Sequence, residues 1–209
     1  MEMIGGSEME GFFFFWLFWI FWILSTFFIN NKKIRVQVSI LILLAIIFSV
    51  HNFLILDFSI SITGLFFLFA SYFLIARQSK GSISYLFVTS FILMLAYATF
   101  HLFELFDPVW LIFNRNIMLS LILAYLTILL QNDLYVRIIT LVCGTIHGDI
   151  LYSMILRRFS FPHDVGSFIF LDTIAITITI LLVVSGFRKI SAYFENHIKH
   201  LEREKQKQS

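Results

Sequence analysis

The chain has 209 residues, of which 59% are hydrophobic and only 13% are charged, and its formal net charge is +2. A soluble domain carries about 25% charged residues, and one small core could not bury this much apolar surface, so the composition excludes a soluble globular protein and requires lipid. The scattered basic residues argue against nucleic-acid binding. The single cysteine, Cys143, excludes an internal disulfide and a multi-cysteine metal site.

The first apolar run predicts a retained membrane anchor. It follows acidic residues, Glu2, Glu8 and Glu10, whereas a cleavable signal peptide begins with a basic region. It is followed by Lys32 and Lys33 and not by a small-residue cleavage site.

The chain contains seven continuous apolar runs, including this first one, and each is about as long as a membrane-spanning helix. They cover residues 12–29, 36–56, 58–76, 83–103, 109–130, 138–156 and 165–187. Because these runs do not alternate polar and apolar residues, they predict helices and not barrel strands. The sequence therefore predicts an all-α polytopic bundle of about seven helices, formed by a single domain at 1–187. A topology of five spans is the alternative, if the second and third runs form one hairpin that is buried differently.

The basic residues set the predicted orientation. If the loop of Lys32 and Lys33 is cytoplasmic, 12 of the 15 Lys and Arg residues fall on the cytoplasmic side, and only Arg115, Arg157 and Arg158 fall outside. Cytoplasmic loops carry an excess of Lys and Arg. The bias predicts an outside N-terminus and a cytoplasmic C-terminus.

The segment 188–209 is predicted to be a basic amphipathic cytoplasmic tail. Its apolar residues recur at helical spacing among lysines and arginines; they are Ile190, Tyr193, Phe194, Ile198 and Leu201. Such a helix binds anionic lipid at the inner leaflet or contacts a protein partner. A solvated helical extension is the alternative.

Polar residues within the apolar runs form a candidate intramembrane site. An ionisable group at the centre of a bilayer costs about 2.5–3.5 kcal/mol, so such residues are functional candidates. The candidates lie in the predicted outer half of the bundle; they are His147, Asp149, Asp172, Arg115, His101 and Glu104.

The sixth run carries the most informative pattern. Thr145, Asp149, Tyr152 and Ser153 are spaced to share one polar face, with His147 pointing roughly the opposite way. Gly144 and Gly148 form a G-x-x-x-G pair that lets another helix approach closely. This face is either the wall of a working site or a set of interhelical hydrogen bonds, for example from Asp149 to an arginine or a tyrosine.

The remaining polar residues have simpler interpretations. Arg115 either extends outward to solvent or pairs with Asp149, Asp172 or Glu104. The outer residues that are expected in water are Asp57, Asp107, Arg157, Arg158, His163 and Asp164.

His101 and Glu104 lie three residues apart on one helix face. With His51 or His147 they could hold a divalent metal. The spacing matches no established motif, so we assign no metal and no cofactor.

The segment 9–20, which reads MEGFFFFWLFWI, precedes further hydrophobic runs and a basic tail. This arrangement resembles the YphA family of small membrane proteins from Bacillus-type bacteria, over nearly the whole chain from Met9. The resemblance implies a location in a bacterial plasma membrane. It provides no established activity and no catalytic residues to transfer.

Three functional hypotheses remain from the sequence. The first is a multi-pass plasma-membrane protein with an accessory or scaffolding role, which is not an enzyme and contacts its partners through the tail. The second is a small proton-coupled or solute transporter that uses the polar face of the sixth helix. The third is an outer-facing metal-dependent membrane enzyme. The chain lacks the phosphate-binding and hydrolase motifs G-x-x-x-x-G-K-[ST], G-x-G-x-x-G, H-E-x-x-H and G-x-S-x-G.

Overall fold

A computed structural model of the chain describes residues 10–55, 58–78, 80–161 and 163–208. These residues form seven α-helices, one short 3-10 helix and one β-hairpin. The elements in chain order are α1 (Phe12–Phe28), α2 (Lys32–Phe48), β1 (Asn52–Ile55), β2 (Phe58–Ser61), α3 (Ile62–Ala76), α4 (Lys80–Phe106), the 3-10 helix (Pro108–Trp110), α5 (Arg115–Leu130), α6 (Leu134–Arg158) and α7 (Phe168–Gln208). The prediction of an all-α bundle of about seven helices is confirmed.

Helix length and composition identify the segments that can cross a membrane. Among the residues that the structure describes, three segments are both long and apolar enough, namely Ile83–Phe106, Leu134–Arg158 and Phe168–Glu195. Three further apolar helices are shorter, namely Phe12–Phe28, Ile62–Ala76 and Arg115–Leu130. At 1.5 Å per residue, a 17-residue helix such as α1 measures about 25 Å, close to the lower limit for a bilayer core of about 30 Å.

The connections alternate between two ends of the bundle. The hairpin end comprises the start of α1, the hairpin 52–61, the loop 107–114 and the loop that enters α7. The arm end comprises the α1–α2 turn, the end of α3, the turn 131–133 and the continuation of α7.

The β-hairpin is the main departure from the predicted spans. β1 pairs with β2 in an antiparallel register from Asn52↔Ser61 to Ile55↔Phe58, and Val165 joins them through a parallel bridge to Ile60. The predicted span 36–56 therefore ends as a helix at Phe48, because the apolar residues that follow form a strand. Short apolar runs rich in aromatic and β-branched residues have the same hydropathy as helix segments.

Two hydrogen bonds tie the hairpin to the loop that enters α7. The backbone N–H of Ser61 donates to the carbonyl of Val165 at 2.8 Å, and the N–H of Val165 donates to the carbonyl of Ser59 at 3.0 Å. The small sheet therefore joins two distant parts of the chain.

The turn between α5 and α6 also differs from the prediction. α5 begins at Arg115 and ends at Leu130, so the predicted span 109–130 is helical only over its last 16 residues apart from the short 3-10 helix at Pro108–Trp110. Arg137, which was expected in a cytoplasmic loop, is only 1% exposed, and its Nε donates to the carbonyl of Gln131 at 2.7 Å. The carbonyls at a helix C-terminus carry partial negative charge, so the guanidinium folds inward onto the end of α5.

α7 is one continuous helix of 41 residues, about 61 Å long, which is twice the thickness of a bilayer core. The last span and the tail that the sequence predicted are thus parts of one helix. We call its projecting part, residues 188–208, the arm. Ile190, Tyr193 and Phe194 are 55%, 70% and 59% exposed. The side chains of Ile198 and Leu201 lie outside the described part of the structure.

Candidate functional site

Asp149 lies at the centre of the polar residues in the hairpin-end half of the bundle. Its side chain is fully buried, and both carboxylate oxygens accept hydrogen bonds. The Tyr97 hydroxyl and His163 Nε2 donate to Oδ1 at 3.2 and 3.0 Å, and the backbone N–H of Gly166 donates to Oδ2 at 2.7 Å. The carboxylate therefore joins α4, α6 and the loop that enters α7.

That loop adopts its path around Asp149 with the help of two glycines. Gly166 has a φ of +74°, in the left-handed region that favours glycine. A Cβ on Gly166 would lie 3.1 Å from the Cα of Gly64 in α3, so the two backbones nearly touch. Ser153 adds a longer hydrogen bond, from its hydroxyl to the His163 carbonyl at 3.3 Å.

His163 was predicted to lie in water, and this prediction is wrong. Its side chain is only 23% exposed and lies against Asp149. It follows α6 by five residues, and the loop folds back over the end of the bundle instead of extending away from it. The fold-back places the imidazole beside the carboxylate on the polar face of α6.

A second polar group lies closer to the hairpin-end surface. His101 Nδ1 donates to Glu104 Oε2 at 3.2 Å, and Arg115 Nη1 donates to Glu104 Oε1 at 3.2 Å. The Arg115 side chain is 40% exposed, so it both reaches outward and pairs with Glu104. Of the partners that the sequence offered for Arg115, the structure shows Glu104.

Aromatic contacts connect the two polar groups. The His101 ring lies 4.6 Å from Tyr97 and 5.1 Å from Tyr152, measured between ring centroids, and Tyr152 lies 5.0 Å from His163. His101 Nε2 is buried and has no hydrogen-bond partner in the described part of the chain. We call this connected set the hairpin-end network; its members are Tyr97, His101, Glu104, Arg115, Asp149, Tyr152 and His163.

Asp172 lies outside the network and has a different partner. It is 1% exposed, and it accepts hydrogen bonds from the backbone N–H groups of Gly11 at 2.9 Å and Phe14 at 2.7 Å. The first N–H groups of a helix have no partner within the helix. Asp172 of α7 therefore caps α1 across the bundle, next to Gly11, whose φ of +84° turns the chain into the helix.

His147 faces away from Asp149, toward α3. Its Nδ1 donates to the carbonyl of Cys143 at 2.6 Å, one turn earlier, and its Nε2 is hydrogen-bonded to the Tyr72 hydroxyl at 2.5 Å. Within the described part of the chain, it makes no hydrogen bond, ion pair or ring contact with the network or with Asp172. The six candidates thus form three separate groups.

The two glycines of the sixth helix lie against α4. A Cβ on Gly144 would meet the Leu93 Cβ at 2.6 Å, and a Cβ on Gly148 would meet the Tyr97 Cβ at 2.8 Å. The absence of side chains therefore allows α6 to approach α4 closely. This close approach places Tyr97 within reach of Asp149, one residue beyond Gly148.

The geometry limits the chemistry available. Among residues 10–55, 58–78, 80–161 and 163–208, no three His, Cys, Asp or Glu side chains converge as metal ligands would. His101 and Glu104 meet, but neither His51 nor His147 joins them. Of the outer residues that were expected in water, Asp57 lies outside the described residues. A cavity in the arm-end half of the bundle is lined by none of the six candidates.

The alternative of a tyrosine partner for Asp149 is borne out by Tyr97, although the sequence did not identify which tyrosine, and His163 and Gly166 were missed as partners. Tyr97 lies one helical turn before His101, on the same face of α4, so it could have been grouped with that histidine. The other two depend on a tertiary contact. A loop of irregular backbone gives no periodic signal that places it over another helix.

Comparison with known proteins agrees with the membrane fold. The family described as YphA-like integral membrane protein matches residues 10–207. The Bacillus subtilis (strain 168) protein described as "Uncharacterized protein YphA" is 27% identical over 185 residues, which cover 88% of this chain and 92% of that protein. No solved structure matches the chain. The resemblance noted from the sequence is thereby confirmed, and the chain belongs to the YphA-like family of integral membrane proteins.

Proposed function

We propose that the chain is a scaffold or accessory protein of the bacterial plasma membrane and that it acts through its arm. The observation that carries this proposal is the unbroken helix α7, whose 41 residues exceed a bilayer core by about 20 residues. A continuous helix holds the arm at a fixed direction relative to the bundle. Exposed Ile190, Tyr193 and Phe194 give it an apolar contact surface for a partner.

The two buried carboxylates support the same proposal, because they already have partners within the fold. Asp149 binds two side chains and one backbone N–H, and Asp172 binds two backbone N–H groups. A transport site needs polar groups that are available to a solute. Packed carboxylates that fix a loop and cap a helix fit a structural role.

The orientation in this proposal is N-terminus outside and arm in the cytoplasm. It rests on the 12 basic residues at the arm end against three at the hairpin end. An alternating bundle of seven helices places the two termini on opposite sides. The arm would then face cytoplasmic partners and the anionic inner leaflet.

Site-specific photo-crosslinking in living cells tests the scaffold role. A photoreactive residue at Tyr193, which is 70% exposed, should form a discrete adduct with another protein. The matched control is Leu121 on α5, which is 50% exposed within the apolar span and should react with lipid. Lipid adducts alone at both positions would contradict the proposal.

A second candidate function is proton-coupled transport through the hairpin-end network. The observation in its favour is the connected series from partly exposed Arg115, through Glu104 and His101, to buried Asp149. Protein reconstituted in vesicles with a pH gradient would then carry protons, and Asp149→Asn would stop the flux while the protein still inserts. Unchanged flux in that variant would rule out transport through Asp149, and proton flux in the wild-type protein would weaken the scaffold proposal.

A further inference from the structure

An apolar cavity of about 460 Å³ lies among α1, α2, α3, α6 and α7 in the arm-end half of the bundle. Its volume falls within the range of about 300–1,000 Å³ that is typical of ligand sites. The polar side chains in its described wall are Ser25 and Ser71. Ser25 is hydrogen-bonded to the Trp22 carbonyl at 3.0 Å and to Ser39, and Ser71 donates to the Leu68 carbonyl at 2.8 Å. The wall therefore suits a hydrocarbon.

The cavity is about as deep as one leaflet of a bilayer. Along α1 its wall runs from Phe18 to Ile29, a rise of about 16 Å at 1.5 Å per residue. The hydrocarbon core is about 30 Å thick, so the cavity covers one half of it. Leu24 in the wall is 43% exposed, so the wall reaches the lipid-facing surface of the bundle.

Basic residues lie just beyond the arm-end limit of this cavity. Lys32 and Lys33 begin α2, three and four positions after the wall residue Ile29, and Arg77 follows the wall residue Leu74 by three positions. All three are exposed, and none is ion-paired within the described residues. The Arg77 guanidinium lies 4.2 Å from the centre of the Phe73 ring. Three cations without acidic partners are complementary to a phosphate.

From this arrangement we propose that the cavity binds one acyl chain of an anionic phospholipid, whose phosphate contacts Lys32, Lys33 and Arg77. The apolar wall fits an acyl chain, the depth of the cavity fits one leaflet, and the three positive charges select an anionic headgroup. The site is separate from the arm and from the hairpin-end network. The proposal therefore goes beyond the scaffold role and does not depend on it.

Lipid retention measures this binding directly. The full chain is placed in nanodiscs of equal phosphatidylglycerol and phosphatidylcholine with identical acyl chains, extracted into mild detergent, and its bound lipid is quantified by mass spectrometry. We expect about one phosphatidylglycerol per chain. Each basic residue near an anionic headgroup changes binding by about fivefold, so the preference over phosphatidylcholine should exceed about tenfold.

Two sets of variants distinguish binding of the acyl chain in the cavity from recognition of the lipid headgroup. Ala70→Trp places a large ring in the cavity and should lower lipid retention at least fivefold, whereas Leu121→Trp on the lipid-facing side of α5 should not. The triple variant Lys32→Gln, Lys33→Gln and Arg77→Gln should abolish the headgroup preference. Its control removes three arm charges, with Lys189→Gln, Lys199→Gln and Arg203→Gln.

Several results would overturn the proposal. Equal retention of the two lipids by the wild-type protein would refute the proposed headgroup contact, and this measurement does not depend on the folding of any variant. Unchanged retention in a folded Ala70→Trp variant would remove the cavity. A lipid-free dimer that becomes monomeric in Ala70→Trp would show that a second copy fills the cavity. Loss of preference in the arm control would place the headgroup on the arm.

Discussion

Replacement of Asp149 by alanine should destabilise the bundle more than any other single change in the hairpin-end network. The substitution removes three hydrogen bonds and leaves the Gly166 N–H and the Tyr97 hydroxyl without their partner. Hydrogen bonds between membrane helices contribute about 0.6 kcal/mol on average and up to about 1.7 kcal/mol. Three such bonds give about 2–5 kcal/mol.

The experiment compares the free energy of unfolding of three proteins in mixed micelles, by far-ultraviolet circular dichroism during titration with a denaturing detergent. Asp149→Ala should lose about 2–5 kcal/mol, and the matched control Ser153→Ala, which removes one 3.3 Å bond, less than about 1 kcal/mol. Hydrogen exchange at the Gly166 amide should accelerate in Asp149→Ala. The reasoning is refuted if Asp149→Ala is no less stable than Ser153→Ala.

Three further predictions concern other parts of the bundle. Gly148→Ala should be less stable than Gly186→Ala by about 1–3 kcal/mol, which a lower unfolding temperature would show. Both substitutions raise helix propensity, but a Cβ on Gly148 would lie 2.8 Å from an atom of another helix, whereas a Cβ on Gly186 would have nothing within 4 Å. Asp172→Ala should cost about 0.5–2 kcal/mol and speed amide exchange in the first turn of α1, and exchange unchanged from the wild type would argue against the cap. A double-mutant cycle of Glu104→Gln and Arg115→Gln should give a coupling below about 1 kcal/mol, because the arginine is 40% exposed; a larger coupling would show that the pair is desolvated.

The helical content was predictable because it depends on hydropathy and length, which are local. Seven apolar runs without alternation sufficed to predict the bundle. The hairpin was not predicted. Residues Phe58–Ser61 do alternate apolar and polar side chains, but each strand has only four residues, and the strands are stabilised by pairing with each other and with Val165. That pairing joins residues about 100 positions apart.

The candidate site was predictable residue by residue but not as an arrangement. Burial of Asp149 and Asp172 follows from their places within apolar runs, and both are at most 1% exposed. A tyrosine partner for Asp149 was among the predicted alternatives. The remaining partners could not be inferred, because three of the donors are backbone N–H groups, which every residue except proline has. Only the loop that enters α7 and the start of α1 bring those groups to the carboxylates.

The cap that Asp172 provides for α1 has a consequence for biosynthesis. α1 leaves the ribosome before α7, but the carboxylate that completes its first turn lies 158 and 161 residues further along the chain than the groups it binds. At about 5–20 residues per second, that group is made about 8–32 s later. The first turn of α1 therefore stays uncapped during synthesis until α7 enters the membrane and brings Asp172 to it.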